Sequence, residues 1–238
     1  DLEHTKHPSV AQLSEQESRL LKHGYYASVS FVDACFGNLM RGLDDLGLAE
    51  NTIVVVWGDH GWKLGEHGSW CKQTNYNIDT RVPLLIRVPN QNVTGAKCEQ
   101  LVELVDIYPT LCDTAGVPSP TEVEGTSFAP LLSDPEHQWK SATFSQFHRS
   151  PRLTPDKGDY MGLSMVTDRY HYVEWRRWDD DKKSVGELCA AELYDLVADP
   201  NENENIADLD PSAPLVRQLS EQLQRGWRAA APLPLSMP

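Results

Sequence analysis

The chain has 238 residues, with 35 acidic against 21 basic side chains and a formal net charge of −14. That length admits one large domain or two small ones, enough to bury a core. The negative balance offers no positive field for a nucleic-acid backbone or an anionic membrane, and 40% apolar with 24% charged residues is a globular composition.

Five cysteines (Cys35, Cys71, Cys98, Cys112 and Cys189) lack C-x-x-C spacing, which predicts free thiols and excludes a zinc knuckle. No apolar run reaches the roughly 18 residues of a membrane span. Asp1-Leu2-Glu3-His4 has no signal-peptide layout, and the chain reads as a piece of a longer protein.

Ser14-x-x-Glu17 is a capping box. Tyr25, Val29, Val32, Phe36, Leu39, Leu43 and Leu46 then follow in steps of three and four, predicting a long helix with a core-facing stripe that stops at Gly47. Thr52 to Trp57 is a β-branched run without polar alternation, as in a parallel-sheet strand covered on both faces. Val82 to Val88, bracketed by prolines and containing Arg87, predicts a strand nearer a sheet edge. Leu101, Leu104, Val105, Tyr108, Leu111 and Cys112 recur at helical spacing before Gly116-Val117-Pro118.

From Pro118 to Pro135 the composition turns to Pro, Ser, Thr and Gly, marking a boundary. The segments 142–147, 162–175 and 192–196 predict a small antiparallel sheet, with a hairpin at Arg169-Tyr170. Val216, Leu219, Leu223 and Trp227 predict an amphipathic terminal helix. The expected architecture is α/β, with an α/β part over residues 1–135 and a small antiparallel subdomain with its helix over 136–238.

Gly58-Asp59-His60-Gly61 directly follows the first strand. Ligands of open α/β sheets bind beyond the carboxyl ends of strands, so Asp59 and His60 stand where two metal-binding side chains would be useful. An Asx-type turn with a hydrogen-bonded histidine accounts for the same residues. Lys72 closes a stretch with three glycines and two tryptophans, the composition of a loop with aromatic walls. Beside a metal it would meet an anionic oxygen; alone it reads as solvated surface.

Tyr25 to Ser30, Gly58 to Gly68 and Thr80 to Ile86 together resemble the type I, formylglycine-dependent sulfatases of the alkaline phosphatase superfamily. So do Leu104 to Leu111, Ser145-Gln146-Phe147, Met161-Gly162-x-Ser164, Glu192 to Asp195 and Asp199-Pro200-Asn201-Glu202 with Asn205. The resemblance implies the C-terminal part of an alkaline-phosphatase-like sandwich. It implies a hydrolase of carbohydrate sulfates, glycosaminoglycans among them, and a calcium ion, with magnesium the alternative, bound in part by Asp59 and His60. It also implies that Lys72 contacts the sulfate, and a periplasmic, extracellular or lysosomal location.

The family's Cys-x-Pro-x-Arg motif is not in this sequence, and the paired Asp-Asp ligands expected near the start of the family's fold are missing too. The resemblance therefore implies that formylglycine and the remaining metal ligands belong to an upstream N-terminal portion of the same enzyme, an obligate partner. On the substrate side it points to a basic residue after Ser145-Gln146-Phe147 facing a uronate carboxylate: Lys157, with Arg149 beside it. Trp62 and His67 complete the candidate contacts. Asn92-Val93-Thr94 is a glycosylation sequon. A phosphate or phosphonate ester hydrolase of the same superfamily, and a non-catalytic chain on the same fold, are the alternatives.

Overall fold

The computed structural model describes residues 13–91, 93–152, 154 and 156–232, so Asn92 of the sequon lies outside the described residues. The chain forms two compact units, one of residues up to 73 with 78–90, the other of 74–77 with 91 onward.

The first unit opens with α1 (Glu15–Asp45), which starts where the sequence says it should. The Ser14 hydroxyl accepts from Glu17 N–H and the Glu17 carboxylate accepts from Ser14 N–H, a reciprocal capping box. Gly47 ends the helix with φ 67°, a left-handed conformation that suits glycine, and donates to Asp44 O at 2.9 Å. The expected core stripe is corrected. α1 has no buried residue, and Val32, Leu39 and Leu46 are 64%, 61% and 73% exposed. Periodicity identifies the apolar face of a helix, but burial needs a surface opposite, and the described residues leave most of this stripe uncovered.

Among the described residues β1 (Val54–Trp57) pairs only with β4 (Leu84–Arg87), antiparallel, from Val54↔Arg87 to Trp57↔Leu84. The expected parallel strand covered on both faces is corrected for the described residues: Trp57 is exposed, and β4 alternates partly buried with exposed positions. Between these strands lie the short β2 (Lys63–Leu64) and β3 (Trp70–Cys71), paired antiparallel, and the one-turn α2 (Asn77–Thr80).

In the second unit the helical spacing after residue 100 becomes α3 (Ile107–Thr114), preceded by a 3₁₀ turn, and its buried face is not the predicted one. Leu104, Val105 and Tyr108 are exposed, while Asp106, Ile107 and Thr110 are buried. The inward face is chosen by a polar centre. The Asp106 carboxylate accepts from Lys140 Nζ (2.7 and 2.8 Å), Thr126 N–H (2.8 Å) and Glu103 N–H (2.9 Å), and Lys140 also reaches Glu103 (2.7 Å). A charge with that many partners is stable inside, and removing one partner would leave a buried ion uncompensated. After the short α4 (Ala129–Ser133) the chain enters the sheet.

β5 (Thr143–Arg149), β6 (Tyr160–Val166), β7 (Tyr170–Asp179) and β8 (Ser184–Asp195) form an antiparallel meander. The β6–β7 hairpin turns where Arg169-Tyr170 predicts it, closed by Thr167 N–H donating to Tyr170 O at 2.8 Å. One sheet face presents Phe144, Met165, Tyr172 and Leu193 to Leu219 and Leu223 of α5 (Ala213–Arg225), the amphipathic helix expected near the C-terminus; α6 (Trp227–Ala230) follows. The other face sets polar groups among the buried Val173, Trp175 and Tyr194. His171 is fully buried between Ser164 (Oγ to Nε2, 2.7 Å) and the Glu202 carboxylate, and Glu202 also accepts from Asn77 N–H at 2.7 Å. Ser164 and Glu202, two residues of the family-like motifs, thus form one buried hydrogen-bonded chain with His171 in the structure.

Candidate active site

The turn carrying Asp59 and His60 is tied at both ends to the segment before β4. Gly58 N–H donates to Pro83 O (3.1 Å) and Gly61 N–H to Asp79 O (2.7 Å). Gly61 is required by the close approach: a Cβ there would overlap the Ile78 carbonyl oxygen and stand 2.7 Å from its carbon and 3.0 Å from Asp79 Cα.

Within that turn the Asp59 carboxylate is 84% exposed, accepts from His60 N–H at 3.1 Å, and comes within 3.5 Å of His60 Nε2. His60 Nδ1 lies 2.8 Å from Gly61 O. A carbonyl can only accept, so Nδ1 carries the proton and Nε2 presents a lone pair. Lys72 Nζ donates to that nitrogen at 3.0 Å. Trp62 stacks on His60 with centroids 6.1 Å apart.

The hairpin explains how Lys72 returns to a residue 12 positions earlier. The register Lys63↔Cys71 brings the chain after Cys71 back beside the turn. Cys71 and Gln73, on either side of Lys72, adopt φ 71° and 80°. Left-handed backbone is uncommon for such residues and costs about 1–3 kcal/mol each, a pattern met at functional sites. His67 sits in the β2–β3 turn with φ 54° and is partly buried.

Asp59, His60, Trp62 and Lys72 are therefore neighbours in one unit. Arg149 and Lys157 belong to the other. Arg149 leaves β5 with its guanidinium 4.6 Å over the Trp175 ring, and the ring is fixed by its N–H to Glu192 (2.7 Å). Lys157 is exposed on a turn at φ 59°, its N–H donating to Thr154 O at 3.2 Å. Two residues escaped the sequence reading: Lys63 and Asp79 form an ion pair beneath the Asp59–His60 turn, with side chains only 1% and 3% exposed. A lysine in a glycine-rich loop gives no sequence signal of burial.

The donor set fits a divalent cation in part. One exposed carboxylate and one imidazole lone pair face the same space, but calcium takes about 6–8 oxygen ligands, and among the described residues no group of three or more His, Cys, Asp or Glu is gathered for a metal. No helix among them is long and apolar enough to cross a membrane.

Residues 65–228 match the family described as N-sulphoglucosamine sulphohydrolase, C-terminal, and residues 7–117 match the sulfatase family. Iduronate 2-sulfatase of Mus musculus is 31% identical over 248 residues, an alignment covering 82% of this chain and 45% of that protein. A protein solved in complex with its substrate D-glucosamine-2-N,6-O-disulfate is similar at 30% identity and TM-score 0.70, covering 86% of this chain and 40% of that one. A phosphonate monoester hydrolase from Silicibacter pomeroyi is similar at 25% identity and TM-score 0.78, covering 94% and 44%. The chain thus spans less than half the length of these relatives.

Proposed function

The chain belongs to the sulfatase family, and from that premise we propose that it forms the C-terminal part of a hydrolase of carbohydrate sulfate esters. The observation that carries this reading is the convergence of Asp59, His60 and Lys72 on one turn, with the lysine ammonium 3.0 Å from the imidazole.

In this reading Asp59 Oδ2 and His60 Nε2 would be two ligands of a calcium ion, the Nε2 lone pair going to the metal and the Lys72 ammonium to the ester instead of the imidazole. Such an ion would supply positive charge against the ester oxygens and against a nucleophile, which together with the remaining ligands would come from the upstream portion of the enzyme. The roles of the residues present follow from their geometry. Gly61 O holds the Nδ1 proton and keeps the Nε2 lone pair turned inward. Lys72 offers an ammonium that no described carboxylate neutralises, placed to meet a sulfate oxygen as negative charge builds on it. Trp62 packs on the imidazole and limits its rotation. Within the second unit taken by itself, Arg149 is held against Trp175 with donors suited to an anionic group, and Lys157 is the more exposed candidate for the same duty. The likeness to iduronate 2-sulfatase and to the glucosamine disulfate complex supports a sulfated sugar as substrate.

A phosphonate monoester hydrolase is the second reading, favoured by the structural likeness to that enzyme at TM-score 0.78. Lys72→Met in the full-length enzyme tests the first reading. Loss of one charged donor to the reacting group is expected to lower kcat/KM on a sulfated sugar by roughly 10²–10³, with calcium affinity measured by calorimetry retained. Unchanged kcat/KM would remove Lys72 from the site.

A further inference from the structure

Lys63 is among the largest fully buried side chains of the described residues, and Asp79 beside it is buried as well. Lysine and aspartate are almost never buried unless paired. Replacing such a pair by apolar groups is often neutral or stabilising, so stability alone is a weak reason for its presence. What the pair does fix is geometry. Lys63 begins β2 directly after the Asp59–His60 turn, and its ammonium grips the carboxylate of Asp79. The backbone carbonyl of the same Asp79 accepts from Gly61 N–H at 2.7 Å, and Gly61 O in turn accepts from His60 Nδ1 at 2.8 Å. Three polar contacts, joined through the covalent frames of Asp79 and Gly61, thus lead from a buried charge pair to the protonated nitrogen of the imidazole.

We propose that Lys63 and Asp79 are positioning residues that hold His60 in its Nδ1–H tautomer with Nε2 facing Asp59 and Lys72, an inference that rests on reading this turn as a metal and sulfate site. Outer partners that orient a metal-ligating histidine commonly act in this way, and their loss costs about 10–100-fold in metal affinity or activity.

The test uses the full-length enzyme labelled with ¹⁵N at histidine, the His60 signals being identified by their loss in His60→Gln. In the wild type the two ring nitrogens should show one protonated Nδ1 and one bare Nε2. In the double variant Lys63→Met/Asp79→Leu, which removes both charges and keeps apolar bulk, the melting temperature should stay close to wild type. The His60 nitrogen shifts should move toward the mixed-tautomer average of a free imidazole, and calcium affinity should fall roughly ten- to a hundredfold. Unchanged nitrogen shifts and calcium affinity in the folded double variant would overturn the proposal. If the double variant loses its cooperative transition, Asp79→Asn, which keeps the backbone carbonyl, is read by the same shifts with the same two outcomes. A wild-type enzyme that binds no calcium and releases no sulfate, while its His60 shifts still follow the pair, would end the sulfatase reading and leave the positioning role standing.

Discussion

Gly61→Ala is the smallest change that should separate the turn from its support. The added methyl would overlap the Ile78 carbonyl oxygen, with its carbon at 2.7 Å and Asp79 Cα at 3.0 Å. Backbone cannot rotate away as a side chain tip can, so the turn and the 78–79 segment must part by about 1 Å. The move breaks the 2.7 Å hydrogen bond from Gly61 to Asp79. Losing that bond with its groups left partly buried costs about 1–3 kcal/mol, and the steric term adds about 1–3 kcal/mol, so a destabilisation of roughly 2–5 kcal/mol is expected. The same shift moves the acceptor of His60 Nδ1, and a 1 Å misplacement of a positioning group can cost roughly 10²-fold in rate. Urea denaturation of the full-length enzyme reads the first quantity, and kcat/KM on a sulfated sugar reads the second. Gly68→Ala is the control: it has open space around its Cβ position and carries only the penalty of φ 61°. If Gly61→Ala matched the Gly68→Ala control in both stability and rate, the tight approach of turn and segment would not be holding the site.

Gly162→Ala should cost about 1–3 kcal/mol, because its methyl would collide with Asn75 Nδ2 and stand 2.7 and 2.8 Å from Trp175 ring carbons; an unchanged urea midpoint would contradict this packing. Tyr172 is fully buried, and burial first, with the Glu174 carboxylate second, pushes its hydroxyl up to about 12. From pH 10 to about 12 the unfolded chain therefore releases a proton that the folded chain keeps, so this contribution to stability is complete below pH 10 and is lost as pH rises. Tyr172→Phe should flatten the alkaline fall of the urea midpoint, and identical slopes in variant and wild type would refute that assignment.

The parts of the fold legible in the sequence are those set by contacts close along the chain. Ser14 and Glu17 cap α1 as a local pair, the Arg169-Tyr170 turn joins its two strands, and Leu219 and Leu223 face the sheet as their spacing requires. The proximity of the candidate residues follows from equally local contacts: Asp59 and His60 come directly after a strand, and a hairpin brings Lys72 back to them. Charge pairing across the fold left no local trace. Lys63 and Asp79 are 16 positions apart and Lys140 and Asp106 are 34, so each reads in isolation as solvated surface. The Asp106–Lys140 pair also explains why α3 buries the face opposite its apolar stripe. The α1 stripe shows the converse limit, since periodicity names the apolar side of a helix without naming what covers it.

The central claim is that this chain completes a sulfate ester hydrolase. The most direct measurement is kcat/KM of the full-length enzyme, in calcium, on a sulfated sugar and on a matched phosphonate monoester, for wild type and Lys72→Met. Sulfate should be the preferred ester of the wild type, and the preference should collapse in the variant. A wild type that favours the phosphonate ester, or that releases no sulfate from any sulfated sugar while the phosphonate is turned over, would contradict it.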